Sequence, residues 1–158
     1  MRIVNVAVLT LAAALVSPVT AQETSADHTM EALRDKVKAD KKLLVATNLT
    51  LTDAEAKGFW PVYEAYQKDL QQINQRLAKT IATYADAYAK GPIPNDTAKS
   101  LLTEAIAIEE SEVKLKQSYV PKLEAVLPAS KVARYLQIES KIRAMIRYDM
   151  ADGIPLVE

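Results

Sequence analysis

The side chains able to do chemistry are few and unevenly placed. The single histidine, His28, lies beside Asp27. Together they offer two ligands to a divalent metal, fewer than a site needs. Di-iron bundles require two Glu-x-x-His pairs with further inward carboxylates, so one histidine excludes a bundle metalloenzyme. The chain has no cysteine, which removes thiolate nucleophiles, cysteine metal sites and disulfides together. Carboxylates are more numerous. Glu109, Glu110 and Glu112 stand close in sequence, and Glu112 falls between the apolar positions Ile108 and Leu115. Paired acids can do acid–base work when burial splits their pKa values. No nucleophile or electrophile accompanies these acids, and a Glu at a seam edge paired with Lys or Arg accounts for them. Glu139, between Leu136 and Ile142 and beside Arg134, Lys141 and Arg143, reads as half of an interhelical ion pair. Neither a glycine-rich phosphate loop nor a nucleophile elbow is present. The expectation is a protein that is not an enzyme, with no catalytic, cofactor-binding or metal-binding residues.

The aromatic residues are a second concentration. Phe59, Trp60, Tyr63, Tyr66, Tyr84 and Tyr88 fall within one stretch of 30 residues, leaving three aromatics elsewhere. Such a stripe at helical spacing serves as core or as a surface offered to a partner. Trp60 lies off the main stripe, with Lys57 and Glu64 as helical neighbours, and so marks a candidate partner or client surface with Phe59, Tyr63 and Tyr66.

These residues must be positioned by helices. Met30, Leu33, Val37, Lys41 and Leu44 recur at three- and four-residue steps, which predicts a first amphipathic helix ending at Thr47-Asn48. Leu51-Thr52-Asp53-Ala54-Glu55 opens the second. Thr52 can cap its free amides and Glu55, three residues on, can close a capping box, while Asp53 and Glu55 complement the helix dipole. This helix is expected from Asp53 to about Lys90, roughly 57 Å long. Its stripe is Ala56, Phe59, Tyr63, Tyr66, Leu70, Ile73, Leu77, Ile81, Tyr84 and Tyr88, close to a coiled-coil seam. Pro61, near Gly58, predicts a kink without a stop, and Gly91-Pro92-Ile93-Pro94 predicts the end.

Asn95 or Asp96 is the expected cap of a third helix reaching about Val126, bent at Pro121. Its apolar face reads Leu102, Ala105, Ile106, Ile108, Val113, Leu115, Tyr119, Val120 and Leu123. Pro128 suits the first position of a fourth helix, whose inner face reads Val132, Tyr135, Leu136, Ile142, Met145 and Ile146 and which Asp152-Gly153 closes. No segment alternates with a period of two, and only three glycines are present. The expected fold is all-α, an elongated helical hairpin or four-helix arrangement with a long kinked second helix.

Length and charge bound the function. The 158 residues suit one domain plus a leader. Arg2, the apolar run from Ile3 to Val16, the break at Ser17-Pro18 and the small residues Val19-Thr20-Ala21 make residues 1–21 a signal peptide cleaved after Ala21. The run is too short for a span of about 20 residues, so the mature chain is expected to be exported to the periplasm with no transmembrane segment. Residues 22–28 read as a flexible start and 29–158 as one helical domain. Lysine plus arginine number 20, as do aspartate plus glutamate; removing Arg2 leaves 19 basic against 20 acidic, a net −1. A near-neutral surface argues against nucleic acid as a partner. Basic clusters at Arg34 to Lys42 and Lys131 to Arg147 could form a local patch.

The leader, the helical chain and the Leu51-Thr52-Asp53-Ala54-Glu55 opening resemble the periplasmic LTxxQ family, which includes the Spy and CpxP stress proteins. That family carries two such motifs, each starting a helix. The second corresponds here to Leu127-Pro128-Ala129-Ser130-Lys131, departing at Thr and Gln, while the first has Glu55 for Gln. Leu51, Thr52, Glu55, Leu127, Pro128 and Lys131 are the motif positions. Phe59-Trp60-Pro61-Val62-Tyr63 and Tyr135-Leu136-Gln137-Ile138-Glu139 are similar to features of small exported proteins near this family. The resemblance implies a curved helical homodimer whose concave face holds unfolded clients without ATP in envelope stress. The alternatives are a metal- or stress-responsive accessory of a sensor protein, and a structural helix-pairing module without clients.

Overall fold

The computed structural model describes residues 40–157. The expectations for the leader, for Asp27 and His28, and for Met30, Leu33 and Val37 lie outside the described residues. The packing set out below is that of the compact unit from Leu43 onward. Among the described residues every regular element is helical: α1 (40–48), α2 (Asp53–Tyr88), α3 (Asn95–Glu124) and α4 (Ala129–Gly153). The fold class is all-α.

Local chemistry sets the boundaries. α1 closes with the Leu49 amide donating to the Val45 carbonyl at 2.9 Å, and in its last turn Thr47 Oγ1 and Asn48 Nδ2 donate back to the carbonyls of Leu43 and Leu44. α2 opens on the expected capping box. Thr52 is the N-cap, its hydroxyl accepts from the Glu55 amide at 3.3 Å, and the Glu55 carboxylate accepts from the Thr52 amide at 2.7 Å. The helix runs on through Pro61, whose missing N–H leaves the Lys57 carbonyl without its usual partner. α2 gives way after Tyr88 to a loop in which Gly91 adopts φ 116°, a backbone region that a Cβ would strain.

Two starts differ from expectation. The N-cap of α3 is Pro94, not Asn95 or Asp96, and no side chain caps it; the chain is already helical at Asn95. Pro128 is the N-cap of α4 and Ala129 its first residue. Proline serves before a helix because it has no amide of its own to satisfy.

α2 and α3 form an antiparallel hairpin. Gly58 lies against Val126 at one end, Tyr66 against Tyr119 further along, and Arg76 against Glu104 and Ser111 beyond. α4 runs antiparallel to α3 and alongside α2. Phe59, Gln67 and Asn74 of α2 meet Tyr135, Glu139 and Arg143 of α4 in turn. No Cα of α2 comes within 8 Å of α4, so large side chains fill the space between them. The core gathers Val45 and Leu49, Phe59, Tyr63 and Tyr66, Tyr119 and Leu123, Leu127, and Val132, Tyr135 and Ile138. The expected stripe of α1 is shifted by one residue: Leu44 is exposed, whereas Val45 and Leu49 are buried.

Candidate functional site

The two helix openings singled out in the sequence meet in space. Lys131 Nζ, in the first turn of α4, lies 2.6 Å from Glu55 Oε2, the oxygen that already accepts from the Thr52 amide. The ammonium of Lys131 and the Thr52 amide hold the Glu55 carboxyl below its ordinary value of 4.5. Leu127, the first position of the second motif, is buried in the core. Arg134 Nε donates to the Asn48 carbonyl at 2.6 Å, so α4 also closes the end of α1. A shallow cleft of about 630 Å³ lies beside these contacts, bordered by Leu49, Thr50, Ser130, Lys131, Arg134 and Gln137. Leu51 is partly buried against the core. Pro128, the remaining motif position, is exposed.

The proposed client surface is mostly interior. Phe59, Tyr63 and Tyr66 are buried, and Trp60 is half-buried with its ring against Phe59 and Tyr63. Tyr135 sits among them, its ring 5.1 Å from Phe59 and 6.1 Å from both Tyr63 and Tyr66, in edge-to-face arrangements that aromatic quadrupoles favour. Three of the four candidate residues are therefore core and present no surface to a client. Burial is the first cause raising the Tyr63, Tyr66 and Tyr135 hydroxyls above the ordinary tyrosine value. The Tyr119 hydroxyl donates to Asp69 at 2.6 Å and is pushed up to about 12, by burial and then by that carboxylate.

The acidic residues are structural. Glu112 is buried and ion-paired with Arg143, and Arg147 reaches it at 3.1 Å while also meeting Glu109 at 3.2 Å. Arg143 bonds Asn74 of α2 as well, so this group ties three helices. Glu139 is buried and accepts from Gln67 Nε2 of α2 at 2.8 Å; the arginine beside it, Arg143, takes Glu112 as its ion-pair partner. Lys131, Arg143 and Arg147 are paired with carboxylates, which offsets part of the basic patch expected on α4, while Arg134 keeps its charge beside the neutral Asn48 carbonyl. Among the described residues no three His, Cys, Asp or Glu side chains are grouped to hold a metal ion.

What the sequence missed is apolar surface. Leu102, Ile106 and Val113 of α3 are 62%, 51% and 55% exposed, although all three were expected inside. Met145 and Ile146 of α4 are exposed too. α3 uses Ile108, Leu115, Tyr119 and Leu123 toward its neighbours, and one helix needs only one such face. The signal was present in the breadth of the expected face, which is wider than a single contact stripe. Comparison with family models, curated proteins and solved structures finds no match for this chain.

Proposed function

We propose that the chain is an exported, periplasmic binding protein that holds apolar segments of unfolded client proteins without ATP, as a chaperone of envelope stress. The observation that carries this reading is the line of exposed aliphatic side chains on α3, Leu102, Ile106 and Val113, on a helix whose opposite side is well packed. Exposed apolar side chains interspersed with charge, as by Glu109 between Ile106 and Val113 here, are what a protein partner recognises. The clasp of Glu55 with Lys131 joins the two motif openings, at the positions where this chain carries Glu and Lys in place of the family's Gln. Residues 22–158, purified, should suppress the aggregation of a denatured substrate at a few-fold molar excess, and Ile106→Ser with Val113→Ser should lose that protection while keeping its helicity. Absence of protection by the unsubstituted protein would sink the proposal.

The same stripe also fits a helix-pairing module, since its steps of four and seven match a seam against a second copy. Light scattering after size exclusion separates the two. A dimer that becomes monomeric in the double serine variant, with no aggregation effect in either, favours pairing.

A further inference from the structure

At the tip of the α2–α3 hairpin lies an apolar groove of about 300 Å³, walled by Leu77, Ile81 and Tyr84 of α2, Ile93 of the loop, and Leu101 and Ala105 of α3. The residues after α4 run into it. Ile154 and Val157 border the groove, and Tyr84 Oη donates to the Pro155 carbonyl at 2.8 Å. Leu156 points away and is almost fully exposed. Ile154 is extended, at φ −107° and ψ 113°, as a residue before proline must be. Two aliphatic side chains three residues apart, Ile154 partly buried and Val157 58% exposed, thus border one groove from an extended, proline-containing segment.

We propose that this groove is a docking site for extended apolar segments of a non-native polypeptide, and that residues 154–157 are its resident competitor. The proposal rests on the client-holding function above and names the recognition chemistry. Aliphatic side chains at i and i+3 lie along the groove's edge, and a carbonyl between them accepts from Tyr84. Unfolded chains offer extended backbone with free carbonyls, which folded protein commits to its own helices and sheets, so such a groove selects them over folded protein. The groove also opens at Leu102 onto the exposed stripe of α3, giving a longer segment somewhere to continue. The resident segment is held by one hydrogen bond and two partly covered side chains, so another strand can displace it. Occupancy by the resident segment weakens apparent affinity in proportion to the time the groove is filled.

The probe is a fluorescein-labelled peptide of sequence Gly-Ile-Pro-Leu-Val, followed by anisotropy. Ile154→Ser with Val157→Ser, in the whole chain, unseats the resident segment and should tighten peptide binding by about tenfold. Adding Ala105→Glu, at an exposed wall position, should abolish saturable binding, and Tyr84→Phe should weaken it several-fold; circular dichroism confirms that each variant is helical. Absence of saturable binding to the helical double serine variant overturns the proposal. So does aggregation suppression that neither unseating the segment nor Ala105→Glu alters, although the client-holding function then survives. If no variant suppresses aggregation, that function fails, and peptide binding still decides the groove.

Discussion

Glu112 and Arg147 illustrate how differently two ion-pair members count. Glu112 is buried with Arg143, whereas Arg147 and Glu109 keep 42% and 65% of their side-chain surface in water. Truncating one member of a buried pair leaves the other charge desolvated, costing about 3–5 kcal/mol, while an exposed pair contributes about 1 kcal/mol or less. Glu112→Ala should therefore lose about 3 kcal/mol in urea unfolding, with Arg147→Ala losing far less. Glu55 is governed by pH instead. Its carboxyl is held below 4.5 chiefly by Lys131, so the stabilisation it brings is fully present above 4.5 and vanishes as pH falls through the lowered value. The stability gap between the natural chain and Lys131→Met should be constant near neutrality and close below pH 4.5. Glu112 and Glu139 were legible as ion-pair candidates from their place between apolar residues. Their partners were not, because Arg143 and Gln67 come from helices tens of residues away in sequence.

Helices α2 and α3 depend on one close approach. A Cβ on Gly58 would stand 3.0 Å from both Cβ and Cγ1 of Val126, and Val126 is β-branched with little freedom to turn aside. Alanine at Gly58 would otherwise gain up to about 1 kcal/mol of helix propensity. Gly58→Ala should thus destabilise the natural chain, yet stabilise the Val126→Gly background, which lacks both clashing atoms, and denaturant midpoints of the four proteins reveal that reversal of sign. The capping box at Thr52 and Glu55 was readable because both residues lie within one turn. The start of α3 was misread, since Asn95 and Asp96 are good caps in isolation and only the backbone shows that Pro94 precedes the first turn. Gly58 was read as a contributor to a kink, and its closeness to Val126 is a fact of the hairpin that no local pattern carries.

The whole molecule should respond to alkali as a unit. Tyr63, Tyr66, Tyr119 and Tyr135 all have hydroxyls raised above 10 in the folded chain, Tyr119 to about 12. A raised folded pKa means that the stabilisation is complete below pH 10 and drains away as pH climbs toward the folded values. Absorbance of these tyrosinates at 295 nm should appear together with the loss of helical ellipticity, in one transition. Ionisation of these tyrosines in a chain that remains helical would contradict their burial. The sequence by itself determined that the chain is helical, where its longest helix begins, and that its aromatic stripe is a packing feature or a surface. Each of those follows from contacts within a few residues, where spacing of 3.6 and capping chemistry act. Tertiary structure decided that Phe59, Tyr63 and Tyr66 face inward around Tyr135, while Leu102, Ile106 and Met145 face out. It also brought Lys131 to Glu55 and laid residues 154–157 over the hairpin tip. A helix with more apolar residues than one face can bury leaves the choice of face to its neighbours, and neighbours are supplied only by the fold.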